Sequence, residues 1–224
     1  MSIYRTAVGR CAVQRWCFDQ LDAWPVPHEN VLTSVHDVDT HLVIAGDGDQ
    51  TVVVVPGTNF PAAACLPLLT AMAGRCRVVA ADVPGQPGLS SVERVAAAGR
   101  LEWYSQWLTS LIEHTTTHGP VTVLGHSLGA AIALACDSPL VDHQVLVSPG
   151  GLTRLRITPR LLGTSAAWLL RRSFRASARL LHTMHAPGHA ARAELVEWMA
   201  LVARHVRTSA DPGGVTIAAT GQRS

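Results

Sequence analysis

The sequence predicts an α/β chain built on a doubly wound, mostly parallel sheet, and three observations predict it. Short β-branched runs such as Thr51–Val55 and Arg77–Ala81 alternate with longer helical patterns, the order that parallel strands joined by crossover helices require. One such run enters Gly125-His126-Ser127-Leu128-Gly129 and leaves through Ala130-Ala131, a Gly-x-Ser-x-Gly turn between a strand and small helix formers. The composition fits as well: 224 residues, 48% hydrophobic and 15% charged, suit one globular domain with a sizeable core.

The elements follow in order. Residues 31–36 and 41–45 are expected to form a first strand pair, joined near 37–40. Thr51–Val55 reads as a buried strand leading into Pro56-Gly57-Thr58-Asn59. Residues 61–73 read as a helix with proline in its first turn. Arg77–Ala81 is a further strand, ending in Asp82-Val83-Pro84-Gly85-Gln86-Pro87-Gly88-Leu89-Ser90. Residues 96–118 form a long helix carrying Trp103, Tyr104 and Trp107. The strand before Ser127, a helix to about Cys136 and a strand over 143–147 complete the alternation. Residues 161–170, Phe174–Met184 and 190–207 then read as amphipathic helices, and 214–221 as one more strand.

The central turn has a chemical reading. A nucleophilic serine between strand and helix has a strained backbone that pushes its side chain out above the sheet. Glycines two residues to either side are needed because a Cβ there would collide with a neighbouring strand or helix. The helix that follows aims backbone N–H groups at a developing oxyanion. Ligands of such sheets bind outside the carboxyl ends of the strands, where residues 56–60 and Ser127 both belong.

Composition narrows the remaining classes. No run of 18 apolar residues occurs, so no membrane span and no membrane partner are expected. The N-terminus carries Arg5, Arg10 and Arg15 but no continuous apolar segment, so no signal peptide is expected and the protein reads as cytoplasmic. The five cysteines, Cys11, Cys17, Cys65, Cys76 and Cys136, form no C-x-x-C pair and read as free thiols. All 18 basic residues are arginine, which fits a GC-rich, bacterial genome. Residues 1–150 carry seven Arg against thirteen acids, and 151–224 carry eleven Arg against three. The basic half would steer an anionic substrate or form a solvated arginine face whose stems cover apolar surface. Nucleic acid is not an expected partner, because aromatic residues are not interleaved with the arginines. No metal-ligand cluster and no Gly-rich phosphate loop is present, so neither metal nor cofactor is expected.

Pro56-Gly57-Thr58, Asp82-x-Pro-Gly with Ser90, and Gly125–Gly129 together resemble the α/β-hydrolase fold family, in register over roughly residues 30–150. The family usually has His-Gly-x where this chain has Pro56-Gly57-Thr58. The resemblance implies that Ser127 is the nucleophile and that the backbone N–H groups of Thr58 and Leu128 form the oxyanion hole. One such donor supplies about 3–4 kcal/mol of transition-state stabilisation. Asp82 reads as a structural turn residue. The resemblance also implies a division into an α/β-hydrolase core (1–150), a helical cap or lid (151–210) and the start of a post-lid core strand (211–224).

Serine hydrolysis also needs a base and an acid to orient it. The family's chain order is Ser, then Asp or Glu, then His. On that pattern the acid is expected at or past Ser224 and the histidine beyond it, with the last strands and helix missing. His189, in Pro187-Gly188-His189, is an internal candidate, followed by His182, His185 and His205; His126 adjoins the serine in sequence only. Strand 143–147 is followed by Ser148-Pro149-Gly150-Gly151, without a carboxylate. The first expectation is a serine hydrolase that acts on a small ester, thioester or lactone, anionic acyl substrates included, through a Ser127 acyl-enzyme. The alternative is a truncated or catalytically impaired relative that serves as a non-enzymatic binding protein.

Overall fold

The computed structural model describes residues 2–96, 98–116, 119–150, 158–186 and 188–207. In chain order the elements are helix α1 (Ala7–Asp22), strands β1 (His28–Val35), β2 (Val38–Ala45) and β3 (Thr51–Val55), and a 3₁₀ turn (Ala62–Ala64). Then come α2 (Leu66–Ala73), β4 (Arg77–Ala81), α3 (Arg100–Thr115), β5 (Val121–His126), α4 (Leu128–Ala135) and β6 (Val141–Val147). Helices α5 (Pro159–Arg171), α6 (Phe174–Met184) and α7 (Ala193–His205) follow. The six strands form one sheet in the order β1-β2-β4-β3-β5-β6. β1 and β2 form an antiparallel hairpin, β2 pairs antiparallel with β4, and β3, β4, β5 and β6 run parallel.

Side-chain alternation divides the core. Val52, Val54, Val78 and Ala80 face one way, onto Val13 and Trp16 of α1, Leu69 of α2 and Trp198 of α7. Val53, Val55, Val79 and Ala81 face the other way, onto Trp107 and Leu111 of α3 and Ile132 of α4. Period-two alternation puts neighbours on opposite faces, and a parallel strand covered on both faces can be apolar throughout. Every residue of Thr51–Val55 is accordingly buried.

Several boundaries differ from expectation. The first hairpin turns more tightly, on His36 (φ 51°) and Asp37 (φ 61°), because positive φ at both central residues matches the twist of the flanking strands. The helix expected over 61–73 is interrupted, and α2 starts at Leu66. Pro67 has no N–H to bond back to the preceding turn, so it fits only a first turn. α3 starts at Arg100 rather than 96, because Gly99 adopts the left-handed conformation (φ 70°). β6 begins earlier than 143 and α7 later than 190. The strand expected over 214–221 lies outside the described residues.

Helix α1 was not anticipated. Thr6 caps it by accepting a hydrogen bond from the Gly9 N–H (3.0 Å), and Val13, Trp16, Cys17 and Leu21 form its buried stripe. Trp16 packs against Trp198, with ring centroids 4.7 Å apart. α5–α7 share this side of the core: Trp168, Leu180, Leu181, Val196 and Val202 belong to the same buried cluster as Val52 and Val54.

Candidate active site

The turn between β5 and α4 is strained where the sequence places the serine. Ser127 has φ 51° and ψ −107°, a conformation that L-residues hold only when the surroundings impose it. Backbone bonds impose it from three sides: its N–H donates to Val147 O (2.9 Å), and its carbonyl accepts from the N–H groups of Ala131 (3.1 Å) and Gly150 (3.1 Å). Both flanking glycines are required. A Cβ on Gly125 would lie 2.4 Å from Gly129 O, and one on Gly129 would lie 1.9 Å from Val55 O. That second approach seats the start of α4 on the end of β3, which brings the Pro56–Asn59 turn beside Ser127.

The turn itself is fixed from outside. The Phe60 N–H donates to Gly57 O (3.1 Å), and Asn59, with φ 67°, occupies the position that needs a left-handed residue. The Asn59 N–H donates to Gln86 Oε1 (3.0 Å), and Trp198 Nε1–H on α7 donates to Asn59 O (2.7 Å). Gly57 has no room for a side chain, since a Cβ would lie 2.7 Å from His126 Nδ1. Among the described residues neither the Thr58 N–H nor the Leu128 N–H donates a hydrogen bond. Leu128 opens α4, where first-turn N–H groups have no partner within the helix. Thr58 Oγ1 is likewise buried and unpartnered.

Asp82 behaves as the turn residue expected. Its carboxylate accepts from the N–H groups of Ala62 (2.7 Å) and Leu89 (2.8 Å), and it lies 3.4 Å from His41 Nδ1. Ser90 Oγ–H donates to Asp82 O (2.6 Å) and accepts from the His41 N–H (2.8 Å). At 3% exposure this carboxylate ties the loops after β3 and β4 together.

A cleft of about 570 Å³ opens at the end of β3 and reaches His126, the residue before Ser127; Ser127 itself is not among its lining residues. Pro56, His126 and Val147 line it on the sheet side, and Phe60, Leu181 and Leu195 are among its apolar walls. Cys65 also lines it, but burial pushes its thiol up to about 12, so it stays protonated and non-nucleophilic. Desolvation lowers the pKa of His126 below the usual imidazole value and favours its neutral form.

The four other candidate bases, His182, His185, His189 and His205, separate by position. His182 and His189 are exposed. His189 lies in the connection before α7 rather than at a helix start, because the helix begins only at Ala193. His205 packs against α1, with its Nδ1 2.9 Å from where a Cβ on Gly9 would sit. His185 lines the cleft. Its Nδ1 lies 2.7 Å from Leu181 O; a carbonyl only accepts, so Nδ1 carries the proton and Nε2 is left as the acceptor. Trp198, Gln86 and His41 were missed from the sequence. Trp198 is legible there only as an apolar helix position, and no local pattern marks the other two.

Known proteins bear on this geometry. A family model described as "Alpha/beta hydrolase family" matches residues 52–221. No curated protein sequence matches the chain. Among solved structures, carboxylesterase CesB from Bacillus subtilis is similar, with a TM-score of 0.72 at 17% identity over 88% of this chain and 68% of that one. Naproxen esterase from Bacillus subtilis gives 0.70 at 18% identity, over 88% and 69%. Epoxide hydrolase VrEH1 from Vigna radiata gives 0.59 at 13% identity, over 79% and 68%. These proteins are named for different activities while the architecture persists, so the likenesses establish the fold alone.

Proposed function

The chain belongs to the alpha/beta hydrolase family, and from that premise we propose that it hydrolyses a small, largely apolar ester, thioester or lactone through an acyl-enzyme on Ser127. The observation that carries this reading is the strained Ser127 backbone, held between two glycines that admit no Cβ and set against the end of β3. Ser127 Oγ attacks the acyl carbon, and the N–H groups of Thr58 and Leu128 receive the oxyanion. The serine proton passes to His185 Nε2, the histidine whose ring lines the cleft with an acceptor nitrogen. The protonated ring returns the proton to the leaving alcohol or thiol. Water then attacks the acyl-serine by the same route, which releases the acid and restores Ser127. The apolar walls and the size of the cleft favour a compact hydrophobic acyl group.

Intact-mass labelling with a fluorophosphonate tests this, because the probe needs an activated serine but no known substrate. One adduct on the wild type, none on Ser127→Ala and slowed labelling of His185→Gln are expected. A folded wild type that takes no label would overturn the hydrolase reading in favour of non-catalytic binding. Normal labelling of His185→Gln would remove His185 from the mechanism and leave Ser127 in place.

A further inference from the structure

The α5–α6 hairpin carries a feature that hydrolysis does not use. Between Asp142 and Glu194 the chain has eight arginines and no acid. Arg171, Arg175 and Arg179 converge on a groove of about 410 Å³ whose floor includes Gly163, Ala167 and Ala176. Among the described residues these three guanidinium groups have neither an ion pair nor a hydrogen-bond partner. Three unpaired cations around one concavity repel one another unless an anion joins them.

Exposed apolar side chains adjoin the groove-lining residues along the chain: Leu162 precedes Gly163, Leu170 precedes Arg171, and Phe174 lies between Ser173 and Arg175. Leu170 is 82% exposed and Leu162 62%, and both Leu169 and Phe174 are also exposed. Residues 162, 166, 169 and 170 fall on one face of α5, where helical spacing gathers them into a stripe. The buried faces of the same helices carry Trp168, Leu180 and Leu181, so both sides of the hairpin are apolar in part. Nearby acids are engaged elsewhere on α7: Glu194 faces Arg192 at 4.0 Å, and Glu197 accepts from Trp16 Nε1 (3.4 Å).

We infer that the α5–α6 hairpin is a docking surface for an anionic phospholipid membrane, with lipid phosphates in the arginine groove and Leu162, Leu169, Leu170 and Phe174 entering the interface. Arginine-rimmed apolar helices lie in the headgroup layer in this way, without crossing the bilayer. No helix among the described residues is long and apolar enough to cross a membrane; the contact inferred is one in the interface plane, a partner that the absence of an apolar run in the sequence did not lead us to expect. An acidic protein would satisfy the arginines but not the exposed leucines, and this favours the lipid surface. α6 connects the surface to the cleft: Arg175 and Arg179 line the groove while Leu181 and His185 line the cleft.

Co-sedimentation of the full chain with vesicles tests the inference. Partition onto phosphatidylglycerol–phosphatidylcholine vesicles is expected to exceed that onto phosphatidylcholine alone by about a hundredfold, three arginines each contributing several-fold. The triple variant Arg171→Glu, Arg175→Glu, Arg179→Glu should abolish this preference, and Leu170→Ser should weaken it several-fold. Both should retain the wild-type thermal transition and fluorophosphonate labelling, and Ser127→Ala should sediment like the wild type. A wild type that stays in the supernatant, or a triple variant that sediments with it, overturns the inference. So does binding to polyglutamate through the same arginines without binding to vesicles. A thermal shift by inorganic phosphate without sedimentation would assign the groove to a free anion and likewise overturn the surface.

Discussion

The turn-and-elbow region and the α5–α6 hairpin are built on opposite rules. Around Ser127, added atoms meet backbone within 2.7 Å at Gly125 and Gly129, and Asp82 and Asn59 are held by named partners on both sides. On the hairpin, Arg171, Arg175 and Arg179 surround open space and Leu170 stands in solvent. The contrast shows where each region meets its counterpart. A strained backbone keeps its geometry only if its surroundings over-determine it; a surface awaiting a partner leaves its bonds unmade.

Four substitutions sharpen or break this contrast, in order of expected size. Gly129→Ala forces a Cβ to within 1.9 Å of Val55 O, and backbone cannot step aside as a side chain can. A loss of about 3 kcal/mol or more in urea denaturation is expected, and a variant as stable as the wild type would break the packing account of the elbow. Asp82→Asn keeps the shape but replaces one acceptor oxygen by an amide, so the N–H of Ala62 or Leu89 loses its bond. It should cost about 2–3 kcal/mol while the folded fraction still labels; complete loss of labelling in a stable variant would make Asp82 part of the chemistry. Trp198→Phe leaves the half-buried Asn59 O without its donor. A cost of about 1–2 kcal/mol is expected, together with slower labelling, because the turn that carries Thr58 loses one of its two outside bonds; an unchanged labelling rate would uncouple α7 from the turn. Leu170→Ser, at the opposite extreme, should change stability by less than about 0.5 kcal/mol, and a larger loss in denaturation would show that this leucine is packed rather than presented.

Legibility in the sequence followed the range of the interactions. Thr51–Val55, Arg77–Ala81 and Phe174–Met184 have the bounds the pattern predicts, since β-branched runs and helical spacing are local signals. The crowding at Gly125 and Gly129 was legible too, because the chemistry of the turn requires it. α1 was hidden by Arg10, Gln14 and Arg15 interleaved with its buried stripe, and its stability comes from packing on α7 rather than from its own pattern. The Trp198–Asn59 bond spans 139 residues, and nothing local to either residue announces the other. His185 could not be ranked from sequence, because its value rests on which wall of the cleft its ring joins and on the carbonyl that fixes its proton.

The arginines of the hairpin have a consequence for how the whole molecule travels. The chain's formal charge is only +2 at pH 7, yet the acids crowd into the first 150 residues and the cations into the rest. A nearly neutral body with separated poles is an electric dipole. In the field of a charged surface it feels a torque before it feels much pull, and turns before it arrives. Retention on a cation exchanger should therefore exceed what +2 implies, because the column samples the basic pole.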